Sequence, residues 1–189
     1  WASNMWHRTR PILAARHRTL AFDNRGAGRS DVPPGPYSIA TLASDAAAVL
    51  DAAGVEAAHL IGASMGGMIA QEFALQYPNR VRSLILACTA AGGPGAVQAE
   101  PEVLQMLFRR EGNPRERAEA AVPFLYDAST PRERIERDLE VLSEWYPNLD
   151  GYMAQLQGIL GWEAYSRLPR ISAPTLVIHG EKDRLVPPR

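Results

Sequence analysis

Four short apolar runs punctuate the chain: residues 19–23 (TLAFD), 58–62 (AHLIG), 83–88 (SLILAC) and 175–180 (TLVIHG). Each is bounded by turn residues, and none alternates polar with apolar. Continuous apolar runs of this length suit parallel strands covered on both faces. Between them the period becomes helical. Residues 38–53 set Ile39, Leu42, Ala43, Ala46, Val49 and Leu50 at helical spacing, with Gly54 as the stop. Residues 65–77 do the same with Met68, Ile69, Phe73 and Leu75, and end at Pro78. Strand, helix, strand, helix, strand in this order predicts an α/β fold: a mostly parallel sheet with flanking helices and right-handed crossovers.

After residue 90 the alternation stops. Gly92-Gly93-Pro94-Gly95 is a cluster of breakers, and helical patterns follow near 101–111, 115–127, 131–146 and 149–160. The third carries Ile135, Leu139, Leu142 and Trp145 on one face and charged residues elsewhere. Pro101, Pro114, Pro131, Pro147 and Pro169 stand at segment edges, where helices start or end. The chain therefore divides into a first part of the α/β core (1–90), an α-helical insertion (91–168) and a last core segment (169–189).

Composition narrows the function. The 20 Lys and Arg balance the 21 Asp and Glu, for a net charge of −1, so no basic footprint for nucleic acid is expected. The single cysteine, Cys88, excludes an internal disulfide framework and a four-thiolate metal site. No two histidines have metal-ligand spacing. No apolar run reaches the roughly 18 residues of a membrane span, and no signal-peptide pattern opens the chain, so the expected location is cytoplasmic. Gly26-Ala27-Gly28 lacks the third glycine of a dinucleotide loop, since Asp31 stands there. No cofactor or metal is expected, and the expected partner is a small molecule.

The strongest chemical signal is Gly62-Ala63-Ser64-Met65-Gly66, followed by Gly67. This G-x-S-x-G pentapeptide lies between a predicted strand and a predicted helix, the context that a nucleophile elbow needs. The serine must sit on a sharply turned, strained backbone so that its hydroxyl projects above the sheet edge. Side chains two residues before and after would collide, which calls for glycine at 62 and 66. The helix N-terminus then presents free N–H groups to a developing oxyanion, with the Met65 N–H as first donor. A serine needs a base, and that base an orienting carboxylate. Asp183, three residues past the strand end at Gly180, lies where open α/β sheets place their sites; Glu181 is its neighbour.

These residues carry a resemblance. Residues 22–31 (FDNRGAGRSD), 62–67, 77–81 (YPNRV) and 174–183 (PTLVIHGEKD) resemble the α/β-hydrolase fold family, in the subgroup with a helical cap before the acid-bearing strand. The resemblance implies Ser64 as nucleophile and Asp183 as triad acid. It further implies a catalytic histidine downstream of the acid and a His-Gly-type loop upstream that gives a second oxyanion N–H. None of the four histidines, His7, His17, His59 and His179, follows Asp183, and Trp1 appears after the position of that loop. The expectation is therefore a piece of a longer protein, inactive alone, with its base beyond residue 189. His179 is expected to be structural, His59 a core or edge residue, and His7 and His17 exposed beside an early helix.

The expected activity is hydrolysis of a small carboxylic ester or lactone through an acyl-enzyme. Residues 35–39, 64–69 and 87–91 are similar to bacterial enol-lactone hydrolases. The alternatives are a carbon–carbon bond hydrolase or cofactor-free haloperoxidase of the same fold, or a non-catalytic binding protein that retains it.

Overall fold

The computed structural model describes residues 2–97, 99–145 and 148–188. Trp1 and Pro147, both named above, lie outside them. In chain order the elements are α1 (Thr9–Ala14), α2 (Ile39–Ala52), β1 (Ala58–Ala63), α3 (Met65–Gln76), β2 (Val81–Ala87), α4 (Pro101–Leu107), α5 (Pro114–Leu125), α6 (Arg132–Glu144), α7 (Leu149–Leu160) and β3 (Thr175–Ile178). They gather in two compact units: Trp1–Gly35 with Pro101–Ala154, and Pro36–Glu100 with Gln155–Arg189.

The second unit holds the sheet. Its three strands are parallel in the order β1-β2-β3. Ala63 pairs with Ala87, and Ala87 with Ile178, so all three carboxyl ends reach the same edge. Helix α2 starts where Ser38 caps it, its hydroxyl accepting the Thr41 N–H at 3.0 Å. The apolar stripe of α2 (Ile39, Leu42, Ala43, Ala47, Leu50) closes on Met68, Ile69 and Phe73 of α3. The opposite side of α3 buries Ala70 and Ala74 against Leu84 and Leu86 of β2.

The strands depart from the expected two-sided burial. Leu84 and Leu86 are buried beneath α3, whereas Ile61 of β1 is exposed, and so is all of β3, with Leu176 at 55%, Val177 at 62% and Ile178 at 53% exposure. Among the described residues only one face of the sheet is covered, so apolar continuity along a strand here does not mean burial.

In the first unit, α5 opens on a capping box. The Asn113 side chain accepts the Glu116 N–H, the Glu116 carboxylate accepts the Asn113 N–H, and Pro114 occupies the first helical position. Ala118, Ile135 and Leu139 form its small core, with Val122 and Tyr126 against it. Asp138 of α6 is buried and meets Arg8 Nε and Nη2, both at 2.8 Å, as well as the Tyr126 hydroxyl at 3.3 Å.

Three further expectations are corrected. Residues 19–23 are not a strand: they pair with nothing as a ladder, Leu20 and Phe22 are exposed, and Asp23 turns its carboxylate to the Ser3 and Arg29 N–H groups at 2.6 and 3.0 Å. An apolar run without a neighbouring strand has no ladder bonds to hold it. His7 is half-buried rather than exposed, with Nε2 3.1 Å from Asp138 Oδ1, whereas His17 is exposed. Pro169 lies inside the 3-10 turn Tyr165–Arg170, not at its edge.

Candidate active site

The chain leaves β1 and enters α3 through a single residue. Ser64 has φ 52° and ψ −123°, in the left-handed region that side chains avoid. Its N–H donates to the Ala87 carbonyl at 3.0 Å, which continues the β1–β2 ladder by one more bond. Ser64 is half-buried, and its hydroxyl takes no hydrogen-bond partner among the described residues. The Met65 N–H is the first of the helix and has no acceptor within it.

The glycine requirement falls differently from expectation. A Cβ on Gly62 would stand 2.2 Å from the Gly66 carbonyl oxygen, because the first turn of α3 folds directly over it. A Cβ on Gly66 would meet nothing within 4 Å, so the turn does not exclude a side chain there. The second tight position is Gly67, whose Cβ would lie 2.5 Å from Cβ and Cγ2 of Thr89.

Two residues that follow β2 complete this corner; both lie in the 87–91 segment named above, which assigned neither of them a role. Cys88 has φ 40° and gives its N–H to the Ile178 carbonyl at 2.9 Å. Burial pushes its thiol above the usual range, the Ser64 N–H pulls it back in part, and the charge of Asp183 pushes it further up. Thr89 then donates its hydroxyl to the Ser64 carbonyl at 2.7 Å. The amide of the buried Gln71 on α3 ties the Gly67 and Ala90 carbonyls together, at 3.2 and 3.1 Å.

Asp183 lies in the loop after β3 with its side chain 14% exposed. Oδ1 accepts the Leu185 and Val186 N–H groups at 2.9 and 2.8 Å. Oδ2 faces Nε2 of His179 at 3.5 Å. That nitrogen gives its hydrogen to the Val186 carbonyl at 2.7 Å, so His179 ties the loop together. His59 stands exposed on β1, with Nδ1 2.7 Å from the Ser83 hydroxyl. Ser64, Cys88 and Asp183 therefore follow the carboxyl ends of three adjacent parallel strands. Strands in such a sheet lie about 4.8 Å apart, and the edge beyond their carboxyl ends is where open α/β sheets bind ligands.

A carboxylate on α3 ties that helix to the segment after α7. Glu72 is buried and receives Trp162 Nε1 at 2.8 Å, Arg167 Nη2 at 2.9 Å and Gln76 Nε2 at 2.9 Å. Burial alone would raise its pKa, but the Arg167, Gln76 and Trp162 hydrogen bonds outweigh that and hold it below the ordinary value. Among the described residues no group of three or more His, Cys, Asp or Glu is arranged to hold a metal ion, and no helix is long and apolar enough to cross a membrane.

A family model described as the alpha/beta hydrolase fold matches residues 2–189. A relative from Azorhizobium caulinodans, provisionally named as the carbamate hydrolase RutD, is 35% identical over 98% of this chain and 71% of its own length. The 3-oxoadipate enol-lactonase 2 of Acinetobacter baylyi is 32% identical over 95% of this chain and 67% of its own. Among solved structures, a thermophilic esterase from Thermogutta terrifontis superposes with a TM-score of 0.82 at 30% identity, covering 99% of this chain and 70% of that one.

Proposed function

Because the chain belongs to the alpha/beta hydrolase fold family, we propose that it is a serine hydrolase of a small carboxylic ester or lactone, working through an acyl-enzyme. The observation that carries this reading is the conformation of Ser64: a left-handed serine between strand and helix, its hydroxyl unengaged, beside the unpaired Met65 N–H. Backbone strain of this kind costs about 1–3 kcal/mol and persists where the surroundings enforce it, typically at reactive sites.

In this mechanism Ser64 Oγ attacks the carbonyl carbon while a histidine takes its proton. In this reading the base is a histidine downstream of Asp183, as the family resemblance implies, and not His179, which is engaged with Val186. Asp183 orients the base through Oδ2, while two backbone N–H groups fix Oδ1 and hold the carboxylate still. The tetrahedral oxyanion is held by the Met65 N–H together with a second backbone N–H, which the family resemblance assigns to a His-Gly-type loop. The intermediate collapses as the base returns the proton to the leaving alcohol. Water then attacks the acyl-enzyme by the same route, releasing the acid and restoring Ser64. The names of the enol-lactonase and esterase relatives support an ester carbonyl as the target; a carbamate carbonyl would be attacked in the same way.

A fluorophosphonate probe on the full-length protein tests this. Stoichiometric labelling that vanishes in Ser64→Ala is the expected result; labelling indifferent to that substitution removes Ser64 as nucleophile. Residues 1–189 expressed alone should turn over p-nitrophenyl acetate more slowly than the full-length protein by ~100-fold or more, the scale of a missing general base. Equal rates would remove the downstream histidine from the scheme.

A further inference from the structure

We infer that Thr89 is a positioning residue for the oxyanion donor, acting through the peptide that joins Ser64 to Met65. The inference rests on the serine-hydrolase reading above. The Ser64 carbonyl and the Met65 N–H belong to one planar trans peptide, so fixing the direction of the oxygen fixes that of the hydrogen. The oxygen has three donors: the Gly67 N–H at 2.9 Å, the Met68 N–H at 3.3 Å and the Thr89 hydroxyl at 2.7 Å. The first two belong to α3 itself and turn with it. Thr89 comes from the end of β2, twenty-five residues away in the chain, and is the donor that locks the peptide to the sheet.

Thr89 is itself held. The preceding N–H, of Cys88, bonds to Ile178 of β3, and the following carbonyl, of Ala90, accepts from Gln71 of α3. Its Cβ and methyl fill the space that Gly67 leaves vacant. A hydrogen bond to an amide oxygen also polarises the amide and makes its N–H a stronger donor. Both effects matter most when negative charge gathers on the substrate oxygen. Losing the hydroxyl should therefore slow the chemical step and leave ground-state binding nearly untouched.

The test compares Thr89→Val, which keeps the shape and deletes the hydroxyl, with Thr89→Ser, which keeps the hydroxyl and deletes the methyl, in the full-length protein. Deleting an oxyanion donor outright costs about 100- to 1,000-fold in kcat, so deleting its support should cost about tenfold. The expected result is a tenfold lower kcat for Thr89→Val, KM within twofold, and Thr89→Ser within threefold of the parent. Affinity for a trifluoromethyl ketone, which forms an oxyanion on the serine, should fall in parallel with kcat/KM. Should Thr89→Val fail to fold, Thr89→Ala replaces it with the same expected readouts. Unchanged kcat and ketone affinity in the hydroxyl-free variant would overturn the inference, as would an equal loss in Thr89→Ser. Complete fluorophosphonate labelling of all variants assigns such a failure to Thr89 alone; absent labelling of the parent fails the serine-hydrolase reading and this inference with it.

Discussion

His179 and Asp183 face one another across the loop that follows β3, Nε2 lying 3.5 Å from Oδ2, yet the imidazole gives its hydrogen to the Val186 carbonyl. The histidine is thereby a fastener of the loop that carries Asp183 rather than a partner oriented by its carboxylate. A net hydrogen bond is worth about 1 kcal/mol, or about 2–4 °C in a chain of this size. His179→Leu should lower the melting midpoint by that amount, and His179→Gln, which retains an N–H donor, should recover most of it. The pH–rate profile of the full-length protein should keep its shape in both. A loss of 100-fold or more in His179→Gln at unchanged melting temperature, the scale of a missing general base, would contradict this assignment.

The two glycines flanking Ser64 should respond oppositely to alanine. At Gly62 the added methyl drives into the Gly66 carbonyl at 2.2 Å, and backbone must move to admit it. A cost of about 3 kcal/mol is expected. At Gly66 the methyl meets open space inside a helix, so alanine should add about 0.5–1 kcal/mol of stability. Urea denaturation of the two variants measures the difference, and matching midpoints would show that the turn is looser than its geometry implies.

Glu72 predicts a pH dependence. Its hydrogen bonds to Arg167, Gln76 and Trp162 overcome the upward push of burial and depress the folded-state pKa below the ordinary 4.5. A carboxyl depressed in the folded state contributes stability that is complete above its unfolded pKa and lost as pH falls through the folded one. The parent should therefore lose stability below about pH 4.5. Glu72→Gln, destabilised by about 3 kcal/mol near neutrality, should show a flatter acid limb. Circular dichroism melts from pH 3 to 7 report both slopes, and parallel curves would discount the carboxylate.

The path from β1 to α3 could be read from the sequence because every cue lies in one continuous stretch, residues 58–77: an apolar run, then Gly-Ala-Ser-Met-Gly-Gly, then a helical period. The four helices from α4 to α7 were visible for the same reason, their prolines and amphipathic spacing being local. Residues 19–23 misled because a strand is defined by its neighbour, and apolar content does not supply one. Exposure of β3 was equally hidden, since covering a face depends on what packs there. Thr89 could not be found from the chain alone. Its place beside Ser64 follows from the register that sets Ala63 against Ala87, a relation between distant segments. The shift of the steric constraint from Gly66 to Gly67 has the same origin, because the obstructing atoms belong to Thr89.

Ser64 occupies backbone territory where glycine is at ease and a side chain is not. A lineage selected only for folding would drift to glycine at this codon and shed about 1 kcal/mol or more of tension. Thermal robustness and the proposed reactivity thus pull in opposite directions at one residue. A redesign guided by melting temperature alone would erase the proposed nucleophile among its first improvements.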